Sequence, residues 1–244
     1  MKIYAHRGSF LIWPENTMLA FENANSHGAH AFETDLRLSV DGEIILAHDD
    51  NLARFGQPEK TISKMTVEEI VDVKIPSIDG KIKDNIITLR HLLQRFPEKD
   101  YIFDCKITSE PMMGILRALL DELSFSRKIW FLTWDEAGDR LVETVFPGYE
   151  YFPRESISRR WALASIVGLG GRFEPDNSIL ALPAYHAGLR VFRAAQVAAL
   201  HAQGRLFLGY LVNDRRSWEW SVRCGVDTIL TDRVDLISQY LKEG

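Results

Sequence analysis

Ile3-Tyr4-Ala5-His6-Arg7-Gly8 is an apolar run that stops at a histidine and an arginine. The pattern recurs in Ala31-Phe32-Glu33-Thr34-Asp35-Leu36, in Ile44-Ile45-Leu46-Ala47-His48-Asp49 and in Tyr101-Ile102-Phe103-Asp104-Cys105-Lys106. Each run reads as a buried strand, and each ends in groups that ionise or bind metal. A charge at the end of an apolar strand is costly to desolvate unless it meets a partner or an ion. Four such ends in one half of a chain point to a single site.

Outward from these runs the chain alternates between extended and amphipathic segments. Pro14-Glu15-Asn16-Thr17 reads as a helix start, with Leu19, Ala20, Phe21 and Ala24 as the apolar face and His27-Gly28-Ala29-His30 as the end. Asp41-Gly42 marks a tight turn, so residues 34–40 and 43–47 are expected to form a hairpin-like excursion. Residues 49–85 are polar and punctuated by Gly56, Pro58, Pro76 and Gly80. They read as an insertion carrying one short helix near 67–71, within a single domain spanning 1–244.

Beyond Ile87, helices are expected over 89–96, 111–123, 135–145, 158–167, 192–202 and 216–224, and strands over 101–107, 128–133, 149–153, 179–183, 206–212 and 226–230. Gly168-Leu169-Gly170-Gly171 follows a helix and reads as a flexible turn. Strands alternating with amphipathic helices make a parallel sheet covered by helices. Eight principal strands over about 230 residues match an α/β (β/α)8 TIM barrel with a small insertion after the second strand. A doubly wound open sheet is the alternative, but no Gly-x-Gly-x-x-Gly loop follows a strand.

At 244 residues and 46% hydrophobic, the chain can bury a sizeable core. Its formal net charge of −5 argues against nucleic acid as a partner. Cys105 and Cys224 lie far apart in apolar settings and read as buried free thiols. No stretch approaches the roughly 18 apolar residues of a membrane span. The expectation is a cytoplasmic enzyme without stable membrane insertion, acting on a small molecule.

Glu33 and Asp35 are two apart on one strand, so their side chains share a face. Like charges on one face repel unless a cation joins them. Asp104, on the next barrel strand, adds a third carboxylate. An all-carboxylate set favours one hard divalent cation, Mg²⁺ or Ca²⁺. The plain alternative is that Asp35 pairs with Arg37. His6 and His48 have the intrinsic pKa for proton transfer near neutrality, and each closes an apolar strand beside the carboxylates. His27, His30, His91, His186 and His201 fall on helix ends or faces and carry no expected role. Arg7 and Lys106 add two cations, a combination that suits a phosphate ester.

His6-Arg7-Gly8 with Pro14-Glu15-Asn16-Thr17, then Glu33-Thr34-Asp35, Asp41-Gly42 and His48-Asp49, resembles the signature of the glycerophosphodiester phosphodiesterase family. Val212-Asn213 and the stretch from Gly225 through Asp232 to Arg233 resemble its closing strands. The likeness runs in order over essentially the whole chain. It implies a (β/α)8 barrel and metal-dependent hydrolysis of glycerophosphodiesters to an alcohol and glycerol 3-phosphate. By matched position it implies Glu33, Asp35 and Asp104 as metal ligands and His6 and His48 as the acid–base pair. Arg7 and Lys106 would bind phosphate, Glu15 would support Arg7, and Tyr210 would face the alcohol.

Three departures stand out. The family usually has Glu-Ile-Lys where this chain has Asp104-Cys105-Lys106, and aspartate is one methylene shorter. Tyr210-Leu211-Val212-Asn213 replaces the usual Trp-Thr-Val-Asn. Asn51-Leu52-Ala53-Arg54-Phe55 lacks the usual Thr-Thr. Sphingomyelinase D-like phospholipases also use aspartate at the first of these positions, but their C-terminal tail pattern is absent here. The rivals are therefore a lysophospholipase D, for which Phe10-Leu11-Ile12-Trp13 could form an apolar mouth, and a non-catalytic phosphate-binding barrel.

Overall fold

The computed structural model of the protein describes residues 1–153, 155–166 and 179–243. Eight strands form the frame: β1 (Lys2–His6), β2 (Ala31–Leu38), β3 (Asp100–Cys105), β4 (Ile129–Leu132), β5 (Glu150–Tyr151), β6 (Ile179–Pro183), β7 (Leu206–Tyr210) and β8 (Thr228–Thr231). They pair in the order β5-β4-β3-β2-β1-β8-β7-β6, every ladder parallel. That is sequence order round a ring cut once, between β5 and β6, with no ladder joining those two among the described residues. The fold is the expected (β/α)8 barrel.

Strand periodicity decides what faces inward. Tyr4, Ala31, Ile102, Trp130, Phe152, Ile179 and Leu208 pack together as one layer of the barrel interior. Ile3, Ala5, Phe32, Phe103, Phe131 and Phe207 on the opposite faces join the helix-covered core. Two residues further along the inward rows come His6, Glu33, Asp104 and Tyr210, so the interior turns from apolar to ionisable towards the carboxyl ends.

Between the strands run helices Met18–Ser26, Leu89–Arg95, Glu110–Glu122, Glu136–Val145, Glu155–Ile166, Ala194–His201 and Arg215–Cys224. Their starts are written locally. Thr17, Thr88, Ser109, Asp135 and Asp214 each accept a first-turn backbone N–H through the side-chain oxygen. Such a cap contributes about 1 kcal/mol. The first helix therefore begins at Met18, and Pro14-Glu15-Asn16 lead into it through a turn in which Asn16 is left-handed, at φ 55. Gly8 has φ +81, and a Cβ there would stand 2.5 Å from Ala20 Cβ, so the loop after β1 can close against this helix only with glycine.

Ile44–Leu46 pairs antiparallel with β2, as the Asp41-Gly42 turn predicts. Residues 49–85 carry the expected helix, Val67–Val71, with two small hairpins, Asn51–Leu52 with Gln57–Thr61 and Lys74–Pro76 with Lys83–Asn85. They bury a separate cluster that includes Ile45, Leu52, Ile62, Ile70 and Ile86. The expected strand 206–212 ends at Tyr210, because Leu211 turns to φ 54. Val234–Glu243 forms a final helix that the sequence reading did not foresee. The turn expected at 168–171, and Val167 before it, lie outside the described residues.

Candidate active site

Strand register does the first half of the assembly. His6 is the Cα partner of Glu33 across β1 and β2, and Asp35 is the partner of Asp104 across β2 and β3. Carboxylate oxygens of Glu33, Asp35 and Asp104 all lie within 4.8 Å of one another, and all three residues are buried. Lys106 Nζ lies 2.5 Å from Asp104 Oδ2 and 3.1 Å from Asp35 Oδ1. Arg7 Nε is 3.0 Å from Asp35 Oδ2. Asn16 donates to the same Asp35 oxygen at 2.8 Å and accepts from Thr34 Oγ1 at 2.8 Å. Arg37 does not take Asp35; it donates twice to the His48 carbonyl, at 3.0 and 2.7 Å.

Arg7 Nε and Asp35 Oδ1 are buried without a hydrogen-bond partner, despite their close ionic contacts. Asp35 Oδ1 thus meets only the Lys106 ammonium, and its remaining lone-pair capacity would suit a metal ion. Three converging carboxylates, with neither thiolate nor imidazole within the cluster, fit a hard divalent ion.

Burial pushes the Glu33 carboxyl up to about 8, against the pull of His6 and with the added push of Asp35 and Asp104. Burial thus biases Glu33 towards its protonated form, and a cation held there would favour the ionised one. Burial also works to raise Asp35, but Arg7 and Lys106 outweigh it and hold that carboxyl below the usual range. Asp104 is raised by burial and then by Asp35, only partly offset by Lys106.

The two histidines sit on different supports. His6 Nδ1 is 2.5 Å from Asp232 Oδ1, and its Nε2 is 3.7 Å from Glu33 Oε2. Burial opposes charging this ring, yet Glu33 and Asp232 together raise its pKa. Asp232 is itself gripped by Asn213 Nδ2 at 2.5 Å. His48 reaches the same cavity from the excursion strand, with Nδ1 2.8 Å from Asp49 Oδ1. Arg54, from the insertion, donates to Asp49 at 2.8 Å and to both Glu15 oxygens at 2.7 Å. Glu15 is therefore held mainly by Arg54, stands 3.6 Å from Arg7, and does not line the cavity.

That cavity, about 330 Å³, is two-sided. His6, Arg7, Glu33, His48, Asp104 and Lys106 form the charged side, while Leu132, Phe152, Ala181, Leu208 and Leu230 form the apolar side, with Tyr210 also on the wall. Arg7, Asn16 and Leu211 all carry positive φ although none is glycine. Such backbone costs of order 1–3 kcal/mol and persists where the surroundings fix it, as at sites of function. Phe10 is not a free apolar mouth residue, since its ring packs edge-on to His6 at 5.4 Å. Asn213 and Asp232 fall in stretches that resemble the family's closing strands but carry no expected role. Arg54 and Trp134, which donates to Asp104 Oδ1 at 2.8 Å, are likewise participants without an expected role.

A (β/α)8 barrel with carboxylates, imidazoles and cations gathered at its carboxyl ends has the make-up of a hydrolase for anionic esters. Residues 6–145 match the family model of the glycerophosphoryl diester phosphodiesterases, and the chain belongs to that family of phosphoric diester hydrolases. A glycerophosphodiester phosphodiesterase of Caldanaerobacter subterraneus subsp. tengcongensis is 24% identical over 251 residues, covering 99% of this chain and 98% of its own. Among solved structures, the glycerophosphoryl diester phosphodiesterase domain of a Mycobacterium tuberculosis protein superposes with a TM-score of 0.80 at 17% identity, over 98% of each chain. An Oleispira antarctica phosphodiesterase in complex with the product sn-glycerol-3-phosphate gives 0.75 at 19% identity, over 99% of this chain and 97% of its own. No helix among the described residues is long and apolar enough to cross a membrane.

Proposed function

We propose that the protein hydrolyses glycerophosphodiesters, such as glycerophosphocholine and glycerophosphoethanolamine, to an alcohol and sn-glycerol 3-phosphate with one Mg²⁺ or Ca²⁺ held by Glu33, Asp35 and Asp104. The observation that carries this reading is the cavity lined together by Glu33, Asp104, His6, His48, Arg7 and Lys106, with Asp35 buried beside the two carboxylates. A bound divalent cation supplies neutralisation of charge on the non-bridging phosphoryl oxygens. Arg7 and Lys106 donate to those oxygens and orient phosphorus between the two histidines. One histidine takes the proton from the attacking oxygen, which belongs to water or to the substrate's own glycerol hydroxyl. The other protonates the leaving alkoxide. The glycerol-hydroxyl route forms a cyclic phosphate, which water then opens to glycerol 3-phosphate. Asp232 fixes the ring of His6 and Asp49 that of His48.

The test is release of glycerol 3-phosphate from glycerophosphocholine and glycerophosphoethanolamine, with Mg²⁺, Ca²⁺ or chelator added. Metal-dependent release abolished by chelator is the expected result. Release that survives exhaustive chelation removes the metal from the reading. The apolar side of the cavity favours a second substrate class, lysophospholipids. Choline or ethanolamine released from these, with no turnover of the deacylated diesters, replaces the first reading with a lysophospholipase D. Silence on both leaves a phosphate-binding barrel.

A further inference from the structure

Trp134 stands in a place that packing does not explain. It follows β4 in the cavity wall and is 58% exposed, so burial contributes little to holding the ring there. Its indole nevertheless reaches back to a carboxylate that is only 5% exposed, with Nε1 donating to Asp104 Oδ1 at 2.8 Å. Lys106 donates to the other oxygen of Asp104, and its Nζ lies over the Trp134 ring, 4.7 Å from the centroid. Asp104 is thus held by two donors that also touch each other. An indole N–H at an exposed position is well served by water, so the charge-assisted bond to a buried carboxylate is what fixes the side chain.

The carboxylate in question is the chain's departure from its family's pattern. Aspartate is one methylene shorter than the usual glutamate, so its oxygens stay nearer the strand and have less reach towards Glu33 and Asp35. A shorter ligand depends more on the direction in which its carboxylate is held. We propose that Trp134 is a positioning residue, which uses its indole N–H to aim Asp104 at the divalent cation. The ring face has a second effect. A metal ion entering beside Asp104 repels the Lys106 ammonium, and the ring attracts that ammonium without taking a carboxylate oxygen from the metal. This proposal rests on the metal reading made under Proposed function.

Trp134→Phe separates the two effects, since it keeps a ring under Lys106 and deletes only the N–H. The experiment is calorimetric titration of the metal-depleted full chain with Mg²⁺ and with Ca²⁺, alongside tryptophan fluorescence. The proteins compared are the unmodified chain, Trp134→Phe, Asp104→Glu and the double variant. Loss of a partner that orients a metal ligand weakens metal binding about 10–100-fold. Trp134→Phe is expected to fall in that range, with an unchanged thermal midpoint in chelator and loss of the fluorescence response to metal. With Asp104→Glu already present, the longer ligand no longer depends on the tether, and Trp134→Phe changes affinity less than about twofold, a non-additivity expected of residues in contact. Equal affinity in the unmodified chain and Trp134→Phe overturns the proposal and leaves the metal reading standing. An equal weakening in both Asp104 and Glu backgrounds also overturns it, because the tether then has no link to ligand length. Absence of metal binding by the unmodified chain overturns the proposal together with the reading beneath it.

Discussion

The two sides of the cavity were built by different halves of the barrel and obey different rules. On β1, β2 and β3 every inward position at the carboxyl end is ionisable, and each charge is bonded to another within the same site. From β4 to β8 the residues that reach the cavity are mostly apolar: Leu132, Phe152, Ala181, Leu208 and Leu230. Asp232, just past β8, and Trp134, just past β4, cross from that half, the first to His6 and the second to Asp104. The charged side has no slack, because removing one member strands its neighbours in low dielectric. The apolar side is tolerant, because a hydrophobic wall accepts changes of shape at modest cost. On the proposed reading, phosphate chemistry and recognition of the alcohol fall to separate strands.

The largest effect expected from this contrast is at Asp35, which is fully buried between Arg7 and Lys106. Asp35→Ala removes the anion shared by two nearly buried cations, leaving Lys106 with Asp104 and Arg7 with Glu15 at 3.6 Å. Breaking a buried pair typically costs about 3–5 kcal/mol. Activity is expected to fall by more than the ~10²–10³-fold associated with one lost electrostatic donor. Denaturant unfolding and glycerol 3-phosphate release measure the two losses. A variant of normal stability would show that the charged side is looser than its contacts imply.

Next come the histidines. His6→Ala and His48→Ala are each expected to lower kcat by ~10²–10⁴-fold with the fold retained. Asp232→Asn should lower it less, since the ring keeps a hydrogen-bonding neighbour but loses the charge that favours its protonated form. Near-normal turnover in both single alanine variants would remove acid–base catalysis from these residues and erase the chemical distinction between the two sides.

This division also explains what was legible in the sequence. The charged side was readable because its residues lie at the ends of apolar runs close together in the chain, and strand alternation places Glu33 and Asp35 on one face. The turn at Asp41-Gly42 and the short helix Val67–Val71 were likewise marked by local chemistry. The His6–Asp232 contact spans 226 residues and is made only when β8 closes against β1, so no local window contains it. Arg54 looked like an ordinary charge in a polar insertion, and its reach to Glu15 and Asp49 depends on how the small hairpins fold back. Nothing in the chain around Trp134 separates it from an apolar residue near a strand end; only the position of its N–H does.

The smallest expected effect tests the tolerant side directly. Ala181 lies on β6 between the apolar layer and the cavity, and its side chain is small and partly exposed to that space. Ala181→Leu fills part of the 330 Å³ without touching a charged group. If the apolar wall receives the alcohol, bulky alcohols should lose more than small ones. One methylene in such a pocket is worth about 1–3 kcal/mol of discrimination, and partial repacking reduces that figure. The expectation is therefore a roughly tenfold drop in kcat/KM for glycerophosphocholine relative to glycerophosphoethanolamine, carried by KM, with metal affinity unchanged. An equal drop for both substrates, carried by kcat, would mean that the apolar residues help to shape the phosphate site and that the two sides act as one.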